Sequence, residues 1–303
     1  PPTIRALLEP GDVLVTTVGP FVRWGEAAVR AAIDARAHYV DSTGEPPFIR
    51  AVFERHGPDA ERADVGLLTA FGYDYVPGNL AGALALREAG GRAVSVDVGY
   101  FVARGAQPSG GTRASAAGML AEPAYAFTDG RLVTQRTARS VRSLDGRPAV
   151  SVGATEQFAL PRVYPGLRDA RVWLGWFGPA SRPLQAISAA TALATKLPGV
   201  RGAIEAAAGR FVKGSTGGPG PETRARSRSH ILAIASDAAG TQLARVKLEG
   251  DNPYDFTGAM LAWGAIRAAD GALLGSGALG PVDGFGLDAL EQGVADAGIA
   301  RRD

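Results

Sequence analysis

Three short apolar runs, each followed by a turn and then a helix-like segment, constrain the opening third of this chain more than any other feature. Residues 12–18 (DVLVTTV) end at Gly19-Pro20, residues 38–41 (HYVD) at Ser42-Thr43-Gly44, and residues 65–70 (VGLLTA) at Phe71-Gly72. Runs without polar alternation belong to strands covered on both faces. Between the first two, Ala28, Val29, Ala32 and Ile33 recur at helical spacing within 26–37, and helices are also expected over 47–55 and 79–88. The order β, α, β, α, β with short connections requires a parallel sheet with helices on its faces. Such sheets bind ligands at the carboxyl ends of their strands, where loops 19–25, 42–47 and 71–78 lie.

At Ala93 the pattern changes. Val94, Val96, Val98 and Tyr100 alternate with Ser95, Asp97, Gly99 and Phe101, the signature of a sheet with two unequal faces. A boundary is therefore expected near Gly90-Gly91, with a first domain over 1–91, a second over 92–250, and helices and a loop over 251–303 that pack back near the first. Further alternating segments at 132–136, 149–158, 170–177 and 226–235 predict a mainly antiparallel sheet, so the second domain reads as α+β. An Ala-rich helical stretch over 183–213 and the linker 214–221 suggest a lid, while 256–269 and 287–297 read as helices flanking a Gly-rich loop at 271–286.

Composition removes several classes of function. The chain has no cysteine, so thiolate catalysis, disulfides and iron–sulfur ligation are excluded within it. His38, His56 and His230 have no ligand spacing, and no catalytic metal is expected. A net charge of +2 over 303 residues is not that of a nucleic-acid-binding protein. No run reaches the length of apolar residues that a membrane-spanning helix needs, and a cytoplasmic location is expected.

Several islands resemble the saccharopine dehydrogenase-like oxidoreductases. VGPFVRWGEAAVRAAIDARAHYVDSTGE within 12–45 is similar to that family's VGP-aromatic loop and YVD-x-x-GE segment. FGYDYVPGNLAGALAL, SGGTRASA and PYDFTGAML resemble its later motifs, and the branch most like this chain includes bacterial trans-acting enoyl reductases. The resemblance implies a Rossmann-type domain, a second substrate and dimerisation domain, a homodimer, and hydride transfer from NADP or NAD. The family opens with a glycine-rich phosphate-binding turn that is not found in these residues, so the Rossmann-type sheet is expected to be incomplete at its N-terminus and these 303 residues alone to bind dinucleotides poorly.

The candidate site follows from the loops and the resemblance together. Gly19, Pro20 and Phe21 match the family's cofactor-proximal loop, and Gly44 and Glu45 follow the next strand; all five are expected near the cofactor. Tyr73 and Asp74 either organise a turn or supply the proton, with Tyr100 and Tyr254 as further acid candidates. Pro77 and Gly78 are expected at the substrate, as are Ser109, Gly110, Gly111 and Thr112 ahead of a helix that Thr112 can equally cap. The single G-x-G-x-x-G, Gly275 to Gly280, precedes Pro281 and reads as a plain loop, because the dinucleotide fingerprint needs a strand before it and a helix after it. Arg224, Arg226 and Arg228 are placed on one face of a strand, most simply a solvated one.

The function expected is an NAD(P)H-dependent reduction of an activated C=C or C=N bond in a small or lipid-like substrate, with no nucleic-acid partner. The alternative is a reductase scaffold that carries an acyl or isoprenoid ligand without chemistry. Tyr100, Phe101, Tyr125, Phe127, Trp173, Trp176 and Phe177 are expected to line an apolar cavity of the second domain facing loop 71–78.

Overall fold

The computed structural model describes residues 2–102, 122–195 and 219–302. A single turn, α1 (Pro2–Arg5), leads to β1 (Val13–Thr16), α2 (Phe21–Ala35) and β2 (His38–Asp41). Next, α3 (Pro46–Ala51) runs through a π-helical turn at Val52–His56 into α4 (Gly57–Ala63), followed by β3 (Gly66–Leu68) and α5 (Val76–Ala89). Helical structure thus extends past the 47–55 segment, because Gly57-Pro58 sits in a first turn, where proline's missing amide costs nothing. Left-handed residues at Arg36 and Asp64 stop α2 and α4 before the next strands.

The first sheet runs in the order β1, β2, β3 and β12 (Gly277–Ala278), and every pairing in it is parallel. Val15 pairs with Val40, Tyr39 with Leu67, and Gly277 with Gly66. Its fourth strand comes from the Gly-rich segment that reads as a loop in sequence. Helix α10 (Pro281–Phe285) follows, so GSGALG does have a strand within it and a short helix after it. Gly280 is needed there for packing, since a Cβ at this position would overlap Ala159.

The second sheet contains β4 (Ser95–Val102), β5 (Pro123–Thr128), β6 (Arg131–Arg136), β7 (Val141–Leu144), β8 (Arg147–Val152), β9 (Asp169–Leu174), β10 (Ser229–Ser236), β11 (Gln242–Gly250) and β13 (Ile299–Arg302). It is mixed: β4 and β9 run parallel, and the other pairings are antiparallel. The β4–β9 pair is parallel, whereas α6 (Glu156–Val163) joins β8 to β9 as antiparallel neighbours. Helices α7 (Ser181–Ala194) and α8 (Pro221–Arg226) precede β10, and α9 (Pro253–Ala269) and α11 (Leu287–Asp296) flank the β12–α10 segment. The strand beginning at Ser229 leaves Arg224 and Arg226 in α8, so the expected strand-face row of arginines does not form.

Helix α5 joins the two sheets. It is buried from Val76 to Leu86, packing on β4, β10 and β11 and against α6, α10 and α11. A helix apolar on all sides has to be enclosed in this way. Residues after Asn252 serve both sheets: α9 packs on β1 and β2, β12 extends the first sheet, and β13 pairs with β11.

The seven aromatics expected around one cavity are divided instead. Alternation along β4 sends Tyr100 into the main core with Tyr125 and Phe127, and Phe101 to the opposite face, where it packs with Leu144, Ala149, Trp173 and Leu232. One strand cannot direct neighbouring residues into the same cavity. Among the described residues, no helix is long and apolar enough to cross a membrane.

Candidate active site

The carboxyl ends of β1, β2 and β3 are tied together by two acids. Asp41, the last residue of β2, accepts hydrogen bonds from the Thr43 amide at 2.8 Å and the Ala70 amide at 2.9 Å on Oδ1, and from the Thr69 hydroxyl at 2.8 Å on Oδ2. These bonds fix the turn after β2 to the end of β3. Burial outweighs them and pushes Asp41 up to about 6.

Glu45 serves α2 from a distance. Its Oε1 accepts from the Phe21 amide at 3.0 Å and its Oε2 from the Val22 amide at 2.9 Å. Pro20 at the N-cap has no side-chain acceptor, so the carboxylate from the second loop satisfies the amides at the helix start. Phe21 is buried against Phe48, with ring centroids 5.6 Å apart, whereas Gly19 and Pro20 are exposed and Gly44 is partly so. Of the five residues expected near a cofactor, Gly19, Pro20 and Gly44 therefore present backbone at the sheet edge. Glu45 and Phe21 build the loop beneath them.

The loop from β3 to α5 holds the acid candidates. Tyr73 is buried; its hydroxyl donates to the Phe101 carbonyl at 3.2 Å, and its amide donates to Thr257 Oγ1 of α9 at 3.0 Å. Burial and the neighbouring Asp74 push its ionisation well up. Asp74 differs: it is partly exposed, its Oδ2 lies below Gly44, where a Cβ would sit 3.2 Å away, and its Oδ1 is buried without a partner. Burial pushes this carboxyl up to about 7, so it can hold a proton at neutral pH.

Behind Asp74 lies a buried polar corner. The Tyr100 hydroxyl donates to Glu156 Oε1 at 2.6 Å and lies 3.2 Å from the Tyr75 carbonyl. Asn79 Nδ2 donates to the Tyr75 carbonyl and to Thr155 Oγ1, both at 2.8 Å, and the Tyr125 hydroxyl donates to the Ala154 carbonyl at 3.1 Å. Because α5 begins at Val76, Asn79 is an interior residue of the helix and not its cap. Pro77 and Gly78 are buried, and Gly78 lies directly against the Tyr100–Glu156 pair, where a Cβ would overlap both side chains.

Sequence reasoning missed Glu156. An acid one residue inside a helix that follows a threonine reads as an ordinary first-turn residue. Its burial follows from α6 packing against α5 and β9, which no local pattern shows. Burial pushes it up to about 8, the Tyr100 hydrogen bond pulls it back, and the Asp74 charge raises it. Tyr254 is partly exposed at the start of α9, where Asn252 caps the helix by accepting from the Tyr254 and Asp255 amides at 3.0 Å. Ser109, Gly110, Gly111 and Thr112 lie outside the described residues.

The trans-acting enoyl reductase of Mycobacterium tuberculosis is 34% identical over 80 residues, covering 26% of this chain and 19% of that protein. The trans-acting enoyl reductase of Mycobacterium leprae is 35% identical over 80 residues, 26% of this chain and 19% of its own length. A lipid droplet localized protein of Caenorhabditis elegans is 31% identical over 78 residues, 26% of this chain and 18% of its own. The match thus spans about a quarter of this chain and about a fifth of each relative. No protein-family model matches the chain.

Proposed function

We propose that this chain belongs to an NAD(P)H-dependent reductase of activated C=C bonds in acyl or other lipid-like substrates, with Asp74 as the proton donor. The observation that carries the reading is Asp74 itself: a partly exposed residue at the carboxyl edge of a parallel sheet, its carboxyl pushed up to about 7 by burial and without an ion pair among the described residues. The relatives named enoyl reductases support the reaction class, and the name of the worm relative supports a lipid-like substrate.

Reduction of a polarised C=C bond needs a hydride at one carbon and a proton at the other. Reduced nicotinamide, when bound, supplies the hydride. Exposed Gly19 and Pro20 and partly exposed Gly44 suit the flat end of a dinucleotide, because glycine allows close backbone approach. The first amides of α2 do not suit its phosphates, since Glu45 already occupies them. Asp74 gives its proton to the carbon that becomes electron-rich. Tyr73 supports the loop from below, with its hydroxyl committed to the Phe101 carbonyl.

The test follows loss of reduced-nicotinamide absorbance when the full-length protein is mixed with NADPH or NADH and an α,β-unsaturated acyl thioester. Asp74→Asn is expected to lower turnover by about 10²-fold or more. Gly19→Val is expected to fold, because a Cβ there makes only ordinary contacts with Phe21 and Glu45, and to weaken dinucleotide binding measured by calorimetry. Full turnover by Asp74→Asn, or unchanged dinucleotide affinity in folded Gly19→Val, rejects these assignments.

A further inference from the structure

The loop that carries Asp74 is tied down at both ends. On the β3 side the Ala70 amide donates to Asp41 Oδ1 at 2.9 Å and the Phe71 amide to the Asp41 carbonyl at 2.7 Å. On the α5 side the Tyr75 amide donates to the Ala70 carbonyl at 2.7 Å and the Val76 amide to the Gly72 carbonyl at 3.0 Å. Between these ends the Tyr73 amide leaves the loop altogether and donates to Thr257 Oγ1, 184 residues along the chain in α9, at 3.0 Å. Such ties are needed, because Ala70 is left-handed at φ 54°, a backbone state that a residue with a side chain does not hold unaided.

The Thr257 oxygen is a fixed acceptor. Its own proton goes to the Pro253 carbonyl, one turn earlier in α9, at 2.7 Å, which turns a lone pair toward the Tyr73 amide. Gly72 packs directly on the same side chain: a Cβ there would lie 2.7 Å from Thr257 Cγ2 and 3.0 Å from Oγ1, so only glycine lets the loop come this close to the helix. Phe256, the preceding residue of α9, is fully buried and meets the Tyr73 ring edge-on with centroids 6.4 Å apart. Helix α9 in turn packs on β1 and β2, the strands that lead to Gly19 and Gly44.

We propose that Thr257 is a positioning residue for Asp74, acting through the backbone of Tyr73 to hold the acid at a fixed place beside Gly44. The inference rests on the reading of Asp74 as the proton donor. Thr257 neither gives nor takes the substrate's proton, since its own is committed to Pro253. Its effect is geometric: a proton donor misplaced by about 1 Å costs up to about 10²-fold in rate. The arrangement refers the acid and the backbone at Gly19 and Gly44 to one helix, so that donor and cleft edge keep a constant separation.

Steady-state reduction of an α,β-unsaturated acyl thioester by NADPH or NADH, catalysed by the full-length protein, tests this in Thr257→Val, Asp74→Asn and the double variant. Thr257→Val keeps the shape and loses both hydrogen bonds of the oxygen; kcat is expected to fall about 10-fold or more, with KM changed by less than about twofold. In the Asp74→Asn background the same substitution is expected to change kcat by less than about twofold, because the group it positions is gone. Thr257→Ser, which restores the acceptor, is expected to stay within about threefold of the wild type. An equal loss in both backgrounds means a merely structural role and overturns the proposal, as does an unchanged kcat in folded Thr257→Val. Where the valine variant does not fold, Thr257→Ala removes the same oxygen without bulk against Gly72. Hydrogen exchange at the Tyr73 amide, followed by nuclear magnetic resonance, checks the tie without substrate: protection is expected in the wild type and in Thr257→Ser and faster exchange in Thr257→Val, and equal protection in all three overturns the proposal. Loss of turnover in Asp74→Asn with none in Thr257→Val rejects the positioning role alone. Full turnover in Asp74→Asn, or a protein that oxidises neither NADPH nor NADH, rejects the reading of Asp74 and this role with it.

Discussion

Gly78 shows how a residue can belong to a site without touching a ligand. Its position in a cleft loop suggests substrate contact, yet its lack of a side chain is what lets α5 pass against Tyr100 and Glu156. Gly78→Ala is expected to destabilise the fold by about 1–3 kcal/mol, the usual range for overpacking a filled interior. Denaturant unfolding followed by circular dichroism measures this; a change within error means that the corner has room the structure does not show. The reason for the glycine is hidden in sequence because its neighbours are Tyr100 and Glu156, far along the chain and on different elements. Tyr73 and Asp74 illustrate the same point. The sequence places both in one loop, but only the fold commits the Tyr73 hydroxyl to the Phe101 carbonyl and leaves Asp74 partly exposed.

Among the elements, α2 depends most on a distant partner. Pro20 begins it with a suitable backbone but no side-chain acceptor, and Glu45 supplies two acceptors from the loop after β2. Glu45→Ala is expected to cost about 1–2 kcal/mol, as for loss of an N-cap with its charge at the positive end of a helix. Glu45→Gln, which keeps one acceptor, is expected to cost less. Thermal or urea unfolding of the two variants checks the order, and equal stabilities would mean that the cap contributes little. The β12–α10 segment is the converse case. Its glycines suggest a loop, but Gly277 and Ala278 pair with β3 because an open strand edge satisfies their backbone groups.

Across the molecule, buried carboxyls make stability depend on pH. Burial raises Asp41, Asp74, Glu156 and Asp283, while His38 and His56 are lowered, each mainly by burial. A raised carboxyl stays protonated in the folded chain when the unfolded chain has ionised, so the folded state binds more protons and loses stability as pH rises. Lowered histidines act at the acid side, where the unfolded chain takes up protons that the folded chain refuses. Above pH about 6.5 His38 and His56 are mostly neutral in both states, and Asp74 and Glu156, at about 7 and about 8, continue to release protons. Unfolding free energy is therefore expected to fall from about pH 6.5 to about 8 and then level off. Chemical denaturation across this window measures it, and the slope is expected to flatten in Glu156→Gln; stability that rises over the window contradicts the protonation scheme.

The sequence by itself determined the parallel β-α-β-α-β opening, because apolar runs and helical spacing are local patterns and crossovers of this length permit little else. It also brought Gly19, Gly44 and Asp74 to one edge, since strand direction alone fixes which loops share it. Tertiary structure decided the rest. Pairing of β12 with β3 and the parallel placement of β9 beside β4 depend on contacts between distant segments. The Glu156 corner is of the same kind, because a carboxyl's proton affinity is set by what surrounds it, and only packing of α6 against α5 removes Glu156 from water.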